Sequence, residues 1–180
     1  MKPLGVEEIA EKLNSINRID MWCASTTSTD NFLCEFVNNL NPKPDGILEI
    51  GTMNGLSTIT LASIGRIVYT WDVANRNAEY IWGMFPEIRQ KISAFTGPQD
   101  ILDYSIKELI QYYKKIINFN FAFIDGLHTY NAVKHDFELV KSCGRVLFHD
   151  CVRGVADFVF KELKGYPVHT QGNYGYWENK

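Results

Sequence analysis

Residues 46–58, GILEIGTMNGLST, combine a short apolar run, a turn with two glycines and the beginning of a helix. The first five residues are apolar except for Glu49, as expected for a strand that is buried on both faces. Gly51 and Gly55 allow the backbone to turn tightly and to pass close to a ligand. The stretch predicts a strand–turn–helix unit whose helix-terminal amides favour a negative or polar group.

The same alternation of strand and helix continues along the chain. Strands are predicted at 46–50, 66–72, 91–97, 120–125 and 145–150, with helices between them and a C-terminal hairpin joined at QGN, 171–173. This order predicts an α/β fold with a mostly parallel sheet, helices on both faces and an antiparallel hairpin at its end. We expect a single domain over residues 1–180, with an N-terminal helical cap in 1–40 and the core in 46–180.

Two segments are predicted within the helical cap. Apolar residues at helical spacing predict an amphipathic helix over 4–16, and a second helix is predicted from Phe32 to Leu40. Between them, CASTTSTDN (23–31) is polar and predicts a loop that ends in helix-capping residues.

Composition limits the classes of protein that the chain can belong to. The 180 residues are 46% hydrophobic and 22% charged, as in an ordinary soluble domain, and the net charge of −3 argues against a nucleic-acid partner held by bulk electrostatics. The first residues lack the apolar core of a signal peptide, and no apolar run reaches membrane-spanning length, so no membrane association is expected. The four cysteines lack CxxC spacing, which favours free thiols in the cytoplasm.

Asp72 supports a nucleoside site at the glycine turn. It ends the second predicted strand 21 residues after Gly51, where a carboxylate can accept hydrogen bonds from ribose hydroxyls. The glycine spacing is Gly-x-x-x-Gly, with Met53 where the GxGxxG pattern of nicotinamide-dependent oxidoreductases has a glycine. Alternatively, the glycines serve only the turn and Asp72 only caps a helix.

Two further carboxylates follow neighbouring strands. Asp125 lies in FAFIDGLHTY (121–130), Asp150 ends GRVLFHD (144–150), and both are expected at the carboxyl edge of the sheet, where ligands bind. Converging carboxylates repel unless a proton or cation lies between them, and Mg²⁺ suits oxygen ligands. His128 is placed to accept a proton from a substrate hydroxyl. The alternatives are a helix cap for Asp125, a turn residue for Asp150 and a solvated His128.

These motifs together resemble a known family. EIGTMNG (49–55) resembles motif I of class I S-adenosylmethionine-dependent methyltransferases. The following LST, GPQD (97–100) and the strand-four and strand-five motifs resemble the metal-dependent O-methyltransferase branch, which includes catechol O-methyltransferase and macrolide sugar O-methyltransferases. The resemblance spans about Ile47 to Asp150 and implies a Rossmann-like, seven-stranded class I methyltransferase fold.

The resemblance also implies roles for individual residues. Those expected to bind S-adenosylmethionine are Glu49, Gly51, Gly55, Ser57, Asp72 and Gln99. Asp125 and His128 are the expected catalytic residues, with His128 as the base, and Asp125, His149 and Asp150 are the expected ligands of Mg²⁺ or another divalent cation. At His149 the family often has Glu or Asp, and this histidine can instead point into the core.

The expected function is methyl transfer to a hydroxyl on a small molecule or sugar, assisted by a divalent cation. The alternatives are a non-catalytic module that binds S-adenosylmethionine and, less favoured, an NAD-dependent oxidoreductase. The sequence does not specify the methyl acceptor, and it leaves both a monomer and a homo-oligomer open.

Overall fold

The computed structural model describes residues 27–74, 78–113, 116–169 and 173–179, with side chains from residue 32 onward. The helix predicted at 4–16 lies outside the described residues, as do Cys23 and the beginning of the predicted polar loop. Within the described ranges, no helix is long and apolar enough to cross a membrane.

In the described part of the chain, seven strands form one sheet. In chain order they are β1 (Gly46–Ile50), β2 (Ile67–Asp72), β3 (Ile92–Thr96), β4 (Ala122–Ile124), β5 (Arg145–Phe148), β6 (Tyr166–His169) and β7 (Tyr174–Glu178). Across the sheet the order is β3-β2-β1-β4-β5-β7-β6. The first five strands pair in parallel, whereas β7 is antiparallel to both β5 and β6. The predicted fold class, including the C-terminal hairpin, is confirmed.

Helices precede β1, connect the parallel strands and follow β5. They are α1 (Thr27–Asn39), α2 (Leu56–Ser63), α3 (Ala78–Gly83), α4 (Pro86–Arg89), α5 (Gln99–Tyr113), α6 (Tyr130–Val140) and α7 (Arg153–Ala156). A 3₁₀ turn at Lys141–Cys143 extends α6, and a π-helix at Asp157–Glu162 extends α7. The chain then reverses through the hairpin to add the last two strands.

Two helix boundaries differ from the sequence expectation. Helix α1 begins at Thr27, inside the segment predicted as a polar loop, because Ser, Thr and Asp are as typical of a first helical turn as of a loop. The single helix expected after β2 is two short helices, with Pro86 in the first turn of α4. Proline lacks the N–H that would continue the preceding helix, so it begins a new one.

The core consists of two apolar clusters, one on each face of the sheet. Alternation along β4 and β5 assigns Ala122, Ile124 and Val146 to one cluster and Phe123 and Leu147 to the other. Both faces of these central strands are buried, so polar groups are accommodated best where the strands end. This arrangement directs polar side chains to the carboxyl edge of the sheet.

Candidate functional site

The turn after β1 packs against the end of β4, and this contact requires Gly51. Its φ is +103°, and a Cβ there would lie 2.2 Å from the backbone oxygen of Asp125. The Asp125 N–H also donates a hydrogen bond of 2.8 Å to the Ile50 carbonyl. Only glycine combines this φ with such close backbone approach, so Gly51 holds the turn directly against Asp125.

Gly55 is fixed by a tryptophan. It is the N-cap of α2 with φ +79°, and its carbonyl accepts a hydrogen bond of 3.0 Å from the Trp82 indole. A Cβ at Gly55 would lie 2.4 Å from Trp82 Nε1. Both glycines therefore have structural roles of their own, and their contact with the methionine part of a cofactor stays a prediction.

Glu49 is a fully buried carboxyl in β1. Ser57 Oγ donates to Glu49 Oε1 at 2.6 Å, and Thr58 Oγ1 donates to Oε2 at 2.5 Å. Burial raises the pKa of Glu49 from 4.5 to about 7, since these hydrogen bonds and one from Thr70 only partly oppose the loss of solvation, and the Asp125 charge raises it further. The Glu49 carboxyl thus changes charge near neutral pH, and a cationic ligand beside it would favour the ionised form.

The Asp72 side chain holds the glycine turn through hydrogen bonds from backbone N–H groups. Its Oδ2 accepts a hydrogen bond of 2.7 Å from the Met53 N–H, and its Oδ1 accepts one of 3.0 Å from the Ala74 N–H. A carboxylate has about four acceptor positions, so this structural role leaves capacity for ribose hydroxyls, which stays a prediction. Gln99 begins α5, and its side-chain amide donates to Asp103 Oδ1 at 2.8 Å.

Asp125 and His149 lie side by side at the end of adjacent strands. Ile50, Ile124 and Phe148 form the last row of paired residues across β1, β4 and β5. The next residues along continue this ladder, because the His149 N–H donates to the Ile124 carbonyl at 3.0 Å. Side chains alternate between the two faces along each strand, so the neighbouring residues Asp125 and His149 point to the same face of the sheet.

Four side chains meet at this edge, and we call Asp125, His128, His149 and Asp150 the Asp–His cluster. Asp125 Oδ1 lies 2.8 Å from His149 Nδ1 and 3.2 Å from His128 Nε2. Asp150 Oδ2 lies 3.5 Å from His128 Nδ1 and 3.8 Å from His149 Nδ1. The His149 ring therefore faces the cluster rather than the core.

The hydrogen bonds of the cluster couple its charges. Burial alone would raise the pKa of Asp125, but hydrogen bonds from His128 and His149, together with their positive charge, lower it below the usual value. The hydrogen bond to Asp125 raises the pKa of His128 despite partial burial, and Asp150 adds to this effect. Without a cation the site therefore favours the protonated form of His128, whereas a bound cation would oppose this protonation.

Two features of this site were not expected from the sequence. His128 is expected there only as a base, yet its ring nitrogens lie 3.2 Å from Asp125 Oδ1 and 3.5 Å from Asp150 Oδ2. No role is expected for Tyr174, whose ring centroid lies 4.9 Å from that of His149. The sequence alone does not give this neighbour, because it follows from the register of β5 and β7, in which Phe148 pairs with Gly175 and Tyr174 falls beside His149.

The family of the chain follows from a sequence model that covers the site. The model described as a methyltransferase domain matches residues 48–151, which is more than half of the chain. The chain belongs to this family and is a class I S-adenosylmethionine-dependent methyltransferase. This result favours the methyltransferase interpretation over the NAD-dependent oxidoreductase. The curated proteins contain no significant match.

Solved structures show the same fold. An O-methyltransferase from Bacillus cereus in complex with SAH is 20% identical, with a TM-score of 0.63 and coverage of 95% of this chain and 87% of that one. CalS11, a TDP-rhamnose 3'-O-methyltransferase of calicheamicin biosynthesis, is 15% identical, with a TM-score of 0.65 and coverage of 98% and 87%. MycE from the mycinamycin pathway, in complex with Mg and SAH, is 15% identical, with a TM-score of 0.56 and coverage of 100% and 50%.

The donor atoms of the Asp–His cluster suit a divalent cation. Asp125, His128 and His149 each offer one ligand atom, and these three atoms lie within 4.8 Å of one another. Asp150 adds a second carboxylate at the rim. Two imidazoles and two carboxylates form a mixed nitrogen and oxygen set, which differs from the all-oxygen set that Mg²⁺ prefers.

Proposed function

We propose that the chain transfers a methyl group from S-adenosylmethionine to a hydroxyl oxygen of a small molecule or sugar, with the help of a divalent cation. The observation that carries this proposal is the contact between the glycine turn and the Asp–His cluster, made through Gly51 and Asp125. A methyl donor at the turn and a hydroxyl at the cluster would be neighbours. The solved O-methyltransferases of the same fold support this choice of acceptor atom.

The proposal gives each part of the site one task. S-adenosylmethionine, when bound, supplies an activated methyl group on a sulfonium. Ionised Glu49 attracts the cationic amine in the methionine part of the cofactor. The glycine turn contacts the cofactor beside Glu49. A divalent cation held by Asp125, His149 and Asp150 would lower the pKa of a substrate hydroxyl. Most of the rate enhancement then comes from holding donor and acceptor in line.

His128 is the proposed proton acceptor. As the hydroxyl oxygen forms its bond to the methyl carbon, the carbon–sulfur bond breaks and its electron pair stays on sulfur. The hydroxyl proton passes to a ring nitrogen of His128, which is 40% exposed and can return it to solvent.

The test is a methyl-transfer assay with purified protein, S-adenosylmethionine, divalent cations and a panel of catechol-like and sugar acceptors, read by mass spectrometry. We expect a gain of one methyl group on an oxygen, and we expect His128→Ala to lower kcat by about 10²–10⁴-fold. His135→Ala is the matched control, because His135 on α6 is similarly exposed and similarly paired with a carboxylate, that of Asp103 at 2.8 Å, but is not one of the four residues of the Asp–His cluster.

Two outcomes would contradict the proposal. Binding of S-adenosylhomocysteine without transfer to any hydroxylated acceptor would favour the non-catalytic module. Equal activity of the His128→Ala and His135→Ala variants would remove His128 from the reaction. A cytoplasmic location, a single domain over the whole chain, the oligomeric state and the absence of a nucleic-acid partner stay predictions from the sequence.

A further inference from the structure

The donor atoms of the Asp–His cluster carry an inference about the class of cation, which deepens the proposed function and rests on it. Imidazole nitrogen is a donor that Zn²⁺, Ni²⁺ and similar ions accept readily. Mg²⁺ and Ca²⁺ instead take oxygen ligands, and Mg²⁺ demands near-ideal octahedral geometry with several waters retained. A site with His149 beside Asp125 at its centre is therefore unlike a magnesium site in its chemistry.

The three proposed ligands, Asp125, His149 and Asp150, also lie close enough together to reach one small ion after small movements of their side chains. Ligands with bonds of about 2.0–2.2 Å lie about 3.0–3.4 Å apart when they are neighbours on one cation. Asp125 Oδ1 lies 2.8 Å from His149 Nδ1, slightly closer than two ligands of one ion would be. Asp150 Oδ2 lies 3.8 Å from His149 Nδ1, slightly farther apart than two such ligands. Small rotations of these side chains would bring their donor atoms to ligand distance from one cation.

His149 is held in its place by the sheet. Its N–H continues the pairing of β4 and β5 through the Ile124 carbonyl at 3.0 Å. Its ring packs beside Tyr174 at 4.9 Å and Phe123 at 6.5 Å between centroids. The backbone of Asp125 is likewise fixed to Ile50. A nitrogen donor fixed beside a carboxylate cannot easily move away to leave an all-oxygen site.

We infer that the Asp–His cluster selects a borderline transition ion, of the class of Co²⁺, Ni²⁺ and Zn²⁺, over Mg²⁺ and Ca²⁺, and that His149 sets this selectivity. Replacement of His149 by aspartate would exchange a nitrogen donor for an oxygen donor and shift the preference of the site toward Mg²⁺.

The experiment measures cation binding directly, without turnover, on untagged full-length protein freed of metal. Isothermal titration with Ni²⁺ and with Mg²⁺ gives the ratio of their affinities for wild type, for His149→Asp and for the His135→Ala control. We expect His149→Asp to lower the ratio by at least about tenfold, the lower end of the effect of losing a metal-site partner. His135→Ala should leave the ratio of the wild type unchanged. Because Ni²⁺ binds more tightly than the harder Mg²⁺ at many sites, the change in ratio is decisive rather than the ratio itself.

A spectroscopic measurement on wild type alone keeps the inference testable if His149→Asp does not fold. Pulsed electron paramagnetic resonance of the Mn²⁺-loaded protein should show nitrogen couplings from coordinated imidazole. Absence of these couplings, or an equal Ni²⁺ to Mg²⁺ ratio in wild type and a folded His149→Asp variant, would overturn the inference.

The inference and the proposed function fail separately. Methyl transfer supported by Mg²⁺, with no imidazole coordination in the spectrum, would leave the function standing and refute the cation class. Imidazole coordination with the expected change in selectivity, but without transfer to any hydroxyl, would leave the cation site standing and refute the function.

Discussion

The buried carboxyl of Glu49 makes the stability of the ligand-free protein depend on pH in a way that one substitution should remove. Glu49 has no solvent-exposed surface, and its two oxygens accept hydrogen bonds from Ser57 and Thr58. Glu49→Gln keeps the size and shape of the side chain but cannot ionise. The two hydroxyls can rotate to pair with the amide, so the variant is expected to fold.

The magnitude follows from the pKa of Glu49, which is raised from 4.5 to about 7, chiefly by burial. The folded state binds the proton more tightly than the unfolded state, so this contribution to stability is fully present below pH 4.5 and is lost as the pH rises through about 7. The whole window corresponds to about 3 kcal/mol, of which about 2.5 kcal/mol falls between pH 5 and pH 8. In Glu49→Gln this loss should be absent.

The assay is urea denaturation of the ligand-free protein at pH 5 and pH 8, analysed as the difference between wild type and variant so that other titrating groups cancel. Relative to wild type, Glu49→Gln should gain about 2.5 kcal/mol in free energy of unfolding from pH 5 to pH 8. Glu108→Gln, which removes an exposed carboxylate on α5, is the control. Identical pH dependence in wild type and Glu49→Gln would show that burial does not hold this carboxyl protonated.

Three further outcomes are expected. Gly51→Ala should destabilise the protein by about 3 kcal/mol or more, because its Cβ would lie 2.2 Å from the Asp125 backbone oxygen, and chemical denaturation measures this directly. Trp82→Phe should cost about 1 kcal/mol in excess of its lost packing, since the Gly55 carbonyl loses its hydrogen bond of 3.0 Å, and a smaller loss would assign the indole to packing alone. S-adenosylhomocysteine at 100 times its Kd should raise the Tm by about 5–10 °C whereas NADH should not, and the reverse in a thermal-shift assay would contradict the cofactor assignment.

The fold could be predicted largely from the sequence because its signals are local. Apolar runs that end in Asp or Gly mark the parallel strands, and the QGN signal marks the hairpin. Helix boundaries were less certain, since Thr27 begins a helix in a stretch whose composition also suits a loop. The division of the helical segment at Pro86 is predictable from the sequence, because proline favours the first position of a helix.

The site was predictable at the level of which residues meet, and less so at the level of their contacts. Asp125 and Asp150 follow adjacent strands, so topology alone brings them to one edge. The orientation of His149 required the register of β4 and β5, which composition does not specify. Asp150 has a φ of +47°, which is an unusual conformation for a residue other than glycine. Nothing in the neighbouring sequence predicts this conformation.

One backbone contact links the two halves of the proposed reaction. Gly51 belongs to the turn that is expected to bind the cofactor, and Asp125 belongs to the Asp–His cluster that is expected to bind cation and acceptor. Because the missing Cβ of Gly51 lets these two backbones touch, the distance between the two sites is set by the sheet rather than by mobile loops. Orientation of the reactants is the main contribution that a protein makes to methyl transfer. A change that separates the backbones should therefore reduce turnover more than it reduces the affinity for either the cofactor or the cation.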